Sequence, residues 1–205
     1  GRGLAGAFAW QGLDLGRVPL ELPAAAAGLV EGELSIRGSA ARPEGDATIA
    51  WSPLGQPSPL LEQLQLRAEL REGVLELSVG DTPSAAGHFS GAAAAPLGGL
   101  PRPDWLWPDA PAGSVRGHLE IDGFCSQPLL EALGQDDFGL GVESDLRLEF
   151  ELDPLRPRET AARLEARGLR LQTPSGDLVA EGPGVATLAG ARLELQPLVL
   201  VGLGS

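Results

Sequence analysis

Between Leu140 and Asp153 the chain alternates almost without fault. Leu140, Val142, Leu146, Leu148, Phe150 and Leu152 fall on one side of an extended backbone, and Glu143, Asp145, Arg147, Glu149, Glu151 and Asp153 on the other; only Ser144 interrupts the apolar file. A period of two belongs to a strand with one dry and one wet face. At about 3.3 Å per residue this strand reaches on the order of 40 Å, well past the roughly 5 to 6 residues of an ordinary strand. A strand that long needs a long sheet beside it.

The same alternation returns along the chain. Val30, Leu34 and Ile36 oppose Glu31, Glu33, Ser35 and Arg37; Leu64, Leu66, Ala68 and Leu70 oppose Gln65, Arg67, Glu69 and Arg71; Leu75, Leu77 and Val79 follow. Further on, Val115, Leu119 and Ile121 oppose Arg116, His118, Glu120 and Asp122, and Ala191, Leu193 and Leu195 oppose Arg192 and Glu194. One wet and one dry face predicts an antiparallel sheet. The 29 Gly and 18 Pro punctuate the chain too often for long helices. Turns are expected at Gln11-Gly12, Arg42 to Gly45, Glu72-Gly73, Gly80 to Pro83, Pro154 to Pro157 and Pro174 to Asp177. One short helical turn is expected over 127–133, started by Pro128, while Leu155 to Arg167 is read as a strand.

Compared with itself, the chain repeats. Gly28, Val30, Gly32, Leu34, Ile36, Gly38 and Pro43 recur 85 residues later as Gly113, Val115, Gly117, Leu119, Ile121, Gly123 and Pro128. We therefore read 1–205 as one continuous repeat-built segment, with copies at roughly 19–95 and 96–180 and a partial third to 205. With no Met, and Gly at position 1, it reads as a fragment of something longer.

Other chemistries find little support. A net charge of −13 with no basic, aromatic-interleaved stripe argues against nucleic acid. Gly1, Gly3 and Gly6 have dinucleotide-fingerprint spacing but lack the strand and helix around it, and read as turn glycines. His88, His118 and the lone Cys125 have no ligand cluster near them in sequence. Asp136-Asp137 and Glu149 with Glu151 lack calcium-loop spacing and read as a solvated acidic face. No nucleophile elbow accompanies a Ser-His-Asp set. The loop bearing Trp105 and Trp107 reads as packing over the sheet end. Neither an enzyme nor a cofactor or metal is expected.

The pattern Gly-x-Val-x-Gly-x-Leu-x-Ile-x-Gly-x4-Pro, at Gly28 to Pro43 and again at Gly113 to Pro128, precedes amphipathic strands such as Leu64 to Val79. Together they resemble the TamB and AsmA-like proteins of Gram-negative envelopes. The resemblance implies an all-β sheet curled into an open, elongated trough with an apolar interior (a β-taco). It implies a parent anchored in the inner membrane and reaching across the periplasm, which passes phospholipids towards the outer membrane and works with a TamA-like outer-membrane partner in protein assembly. This chain would be a middle stretch.

From the residues alone, curling the sheet so that Leu34, Ile36, Leu66, Leu70, Leu75, Leu77, Leu119, Ile121, Leu146, Leu148, Phe150, Leu152, Leu193 and Leu195 face inward makes an aliphatic gutter suited to phospholipid acyl chains. Alternation fits a closed sandwich of the same residues equally well. The repeats, whose texture continues to the last residue, favour the open form. The function expected is lipid conduction; the alternative is a structural or adhesive β-repeat spacer that binds no lipid.

Overall fold

The computed structural model describes residues 3–14, 28–39, 42–53, 63–99, 112–132, 139–153 and 156–202. The strands are β1 (Leu4–Asp14), β2 (Gly28–Ser39), β3 (Arg42–Pro53), β4 (Leu64–Arg71), β5 (Val74–Ser84), β6 (Gly87–Pro96), β7 (Val115–Cys125), β8 (Gly141–Leu152), β9 (Ala161–Thr173), β10 (Gly176–Ala180), β11 (Gly184–Ala189), β12 (Arg192–Leu195) and β13 (Leu200–Gly202). One helix, α1 (Gln127–Ala132), lies where the helical turn was expected.

All thirteen strands form a single antiparallel sheet, each pairing with its neighbour in chain order from β1 to β9. The long strand β9 then serves two partners, β11 along Ala161 to Ala166 and β10 along Arg170 to Thr173. Beyond them β12 pairs with β11 and β13 with β10, so β10–β11 and β12–β13 each act as one interrupted strand. The path from β1 to β13 thus has eleven rungs, about 48 Å of sheet at the usual strand spacing. The sheet does not close into a barrel: β1 lies at one end of the path and β13 at the other.

Among the described residues no second layer builds a core. The accessible surface is 13431 Å², against roughly 9000 Å² expected of a compact globule of the same mass. Among the described residues the buried apolar side chains of the core are Val30, Ala86, Leu97 and Val185, and of these only the small Ala86 is fully enclosed. The closed sandwich that alternation also allowed is therefore not the fold: its central leucines would be enclosed on both sides.

Three expected turns lie inside strands. Gln11-Gly12 in β1 and Gly80-Asp81 in β5 are one-residue bulges, where the register slips between Trp10 and Leu13 and between Val79 and Thr82. Further bulges follow Ile121 in β7 and Arg167 in β9. Gly12, Gly123 and Gly168 sit at three of them with φ near +60° (65, 63 and 61°), which an L side chain adopts only under strain. Arg42 to Gly45 opens β3, paired to Ile36 through Ser39; proline is tolerated so near a strand end. Glu72-Gly73 and Pro174-Ser175 do turn the chain. With φ of 50° and 75°, Glu72 and Gly73 form the left-handed two-residue connection that matches strand twist. The expected strand from Leu155 starts later, at Ala161, after a 3-10 turn at Pro157–Glu159; Pro154 and Leu155 lie outside the described residues.

The repeated motif falls on β2 and β7, five rungs apart. Its central glycines have the same use. A Cβ on Gly32 would come within 2.5 Å of Cζ2 of Trp10, and one on Gly117 within 2.6 Å of Cζ of Phe150. In both copies an aromatic ring from the adjacent strand lies across a glycine, and Trp51 lies against Gly28 likewise.

Candidate functional site

Residues opposite one another in the ladder share a face, so the register decides which side chains form rows across the sheet. One row runs Phe8, Leu34, Ala47, Ala68, Leu77, Ala93, Gly117, Phe150, Ala162, Leu188, Leu193. The next, two residues along each strand, runs Trp10, Gly32, Ile49, Leu66, Val79, Gly91, Leu119, Leu148, Leu164, Ala186, Leu195. Each crosses the whole sheet without a polar residue. On their outer sides lie Ile36, Gly45, Leu70 and Leu75, with Val115 opposite Leu152, and, towards the bulges, Phe89, Ile121, Leu146 and Ala166.

All fourteen expected groove residues thus fall on one face. Leu34, Leu77, Phe150 and Leu193 share the first row; Leu66, Leu119, Leu148 and Leu195 share the second; Ile36, Leu70, Leu75 and Leu152 lie on one flank, Ile121 and Leu146 on the other. Leu119 keeps 37% of its surface and Leu164 40%, although both have a paired strand on either side. At the edges Phe8 and Leu193 keep 63% each. Left out of the expected groove were Phe8, Trp10, Ile49, Leu164 and Leu188, and also Val79, which the alternation had already set beside Leu75 and Leu77. In β1 the opposite face is alanine at Ala5, Ala7 and Ala9, so Phe8 and Trp10 had no charge alternation to mark them.

The opposite face carries the charge. Glu151 accepts hydrogen bonds from Arg116 at 2.8 Å and from the Ser114 hydroxyl at 2.5 Å, and these, the arginine foremost, hold its carboxyl below the usual glutamate range. Glu165 is lowered likewise, chiefly by Arg167 at 2.6 Å, with Arg163 at 3.4 Å. Arg147 bridges Glu120 and Glu149 at 3.1 and 3.0 Å. The arginines of these pairs are open to solvent, which screens the attraction, so the pairs contribute little to stability. Their value lies in holding long side chains on the wet face.

A hollow of about 920 Å³ opens on this charged face, from β4 to β11. Ala92, Ala94, Ala161 and Ala189 contribute small side chains to it, and Arg67, Glu76, Arg116, His118 and Arg163 border it. Leu77 and Phe150 are the two of the fourteen that it touches. A twisted sheet is a saddle, hollow along one diagonal on each face.

Two departures from alternation bind the bulges. Ser144 is 5% exposed, and its hydroxyl donates to the Arg167 carbonyl at 2.9 Å, where β9 bulges. Its neighbour Asp145 accepts the Gly123 N–H at 2.8 Å, where β7 bulges. The break in the apolar file thus marks a stitch between three strands.

Of the chemistry considered in sequence, His88 hydrogen-bonds Asp81 Oδ1 at 3.0 Å, His118 borders the charged hollow, and Cys125 is a free thiol. Among the described residues no three His, Cys, Asp or Glu side chains converge as metal ligands would. Gly1, Asp136-Asp137 and the Trp105–Trp107 loop lie outside the described residues. Comparison of the chain with protein-family models, with curated proteins and with solved structures gave no match in any of the three.

Proposed function

We propose that this chain is a stretch of a bridge-like lipid-transfer protein of the TamB and AsmA-like kind, and that phospholipid acyl chains lie on its apolar face. The observation that carries the reading is the pair of unbroken apolar rows, with Leu119 and Leu164 37 and 40% exposed on strands that are paired on both sides. Open aliphatic surface of that extent is costly in water. Each methylene moved onto it gains about 0.8 kcal/mol, so one acyl tail gains on the order of 10 kcal/mol before ordering costs. Apart from the indole N–H of Trp10 at the edge, the rows hold no polar group to fix a guest in register, so a tail slides from rung to rung with little change in energy. On this reading no residue is a catalyst. The parent spans a periplasm from an inner-membrane anchor, with a TamA-like outer-membrane protein as its partner.

A second reading, a spacer without lipid, is favoured by the position of the hollow on the charged face. Native mass spectrometry with lipid extraction of the purified chain separates the two. Co-purified phospholipid supports the conduit; a lipid-free protein that leaves an apolar dye dark supports the spacer.

A further inference from the structure

We infer that the bulges act together as one crease, along which the sheet turns up over its own apolar face, and that an acyl chain lies in the angle. Among the described residues the ladder slips at Gln11-Gly12, Gly80-Asp81, Asp122-Gly123 and Arg167-Gly168. All four slips fall on one flank of the two apolar rows, the flank of Val30, Phe89, Ile121 and Leu146. They lie on β1, β5, β7 and β9, which run in the same direction. The line continues past β9. Gly184 faces Ala166 and Val179 faces Arg170, so the break between β10 and β11 lies beside the β9 bulge. The break between β12 and β13 lies beside that one in turn, bridged where the Glu181 N–H donates to the Val199 carbonyl and the Gln196 N–H to the Val185 carbonyl.

A bulge bends its strand and sharpens the local twist. Bulges set in line across hydrogen-bonded neighbours bend the sheet as a whole. In three of the four the extra residue is a glycine of positive φ, and without Gly12, Gly123 or Gly168 the strict alternation of β1, β7 or β9 would run on unbroken. The side towards which the sheet turns follows from burial. Along this line Val30, Thr82 and Ser144, all on the apolar face, are buried, whereas Leu119 and Leu164 in the second row and Leu152 on the far flank stay exposed. A side chain at the foot of a fold is shielded from two directions; one on open sheet is shielded from one. The place of the tail rests on the lipid reading above, since an apolar chain buries more of its surface in an angle than on a flat face. The crease itself does not depend on lipid.

The unbulged strand β8 reads the crease. In a Cys125→Ser chain, nitroxides on Glu143→Cys and Glu151→Cys stand on the charged face to either side of the line, and a straight strand would hold those positions about 26 Å apart. Strand ends turned towards the apolar face splay the labels, so pulsed electron resonance is expected to give a longer separation, which shortens when Gly123 and Gly168 are both deleted. A separation at or below the straight-strand value before any deletion overturns the crease, whether or not the deletion variant folds. So does a separation that the deletions leave unchanged in a sheet intact by circular dichroism. For the tail, bimane on Leu146→Cys, beside the line, is expected to be quenched more strongly by phosphatidylcholine brominated along its acyl chains than bimane on Leu75→Cys, on the far flank. Equal quenching overturns the path. Absence of quenching at both sites counts against the lipid reading itself, and the nitroxide separation still decides the crease.

Discussion

The hydroxyl of Ser144 lies 2.9 Å from the carbonyl oxygen of Arg167, across the β8–β9 pair at the point where β9 bulges. A bulge removes a backbone carbonyl from the ladder, and a buried carbonyl without a partner is costly. Ser144→Ala takes away that donor while keeping the strand. It is expected to destabilise the sheet by about 1–2 kcal/mol in urea unfolding, whereas the exposed pair partner Arg192→Ala stays within about 0.5 kcal/mol. Equal effects would show that the serine is incidental.

Gly32 and Gly117 give a second expectation. A side chain at either collides with the ring laid over it, and with a backbone oxygen 2.6 Å from the new Cβ, which cannot rotate away. Gly117→Val is expected to cost about 1–3 kcal/mol. Gly182→Ala, with nothing within 4 Å of its Cβ, serves as the near-neutral control.

Leu148→Asp tests the face itself. Placed in the second apolar row, a carboxylate interrupts the path of a tail but remains within reach of water. The sheet is expected to stay folded by circular dichroism, with a loss of about 1–3 kcal/mol, while bound phospholipid falls to background. Unfolding of the chain instead would mean that the face is enclosed.

Acid weakens the charged face. The folded carboxyls of Glu151 and Glu165 titrate below their unfolded values. Their contribution is therefore present above the unfolded glutamate pKa and is lost as the pH falls through the folded one. Carboxyl-carbon NMR titration is expected to show both below free glutamate, and Arg116→Ala to return Glu151, but not Glu165, towards the ordinary value. If Glu151 does not move, the Arg116 pairing has been misjudged.

Much of this protein follows from the order of its residues. Strict alternation in β4, β7 and β8 requires a sheet with unlike faces, because side chains of an extended strand point to opposite sides in turn, and it places all fourteen groove residues on one face once the strands pair in chain order. The helical turn at α1 was legible from Pro128. Bulge and turn look alike in sequence, since glycine with a neighbouring Asp or Gln serves both; Gln11-Gly12 and Gly80-Asp81 were therefore readable only from their pairing. Strand β1 had been divided in two by the turn expected at Gln11-Gly12, and β6 was obscure because Ala92 and Ala94 take positions that charges mark elsewhere. Whether the apolar face is covered was a tertiary matter. A sandwich and an open sheet have the same local pattern and differ only in whether a second layer packs on the first, and here the thirteen strands spend their hydrogen bonds on one continuous ladder.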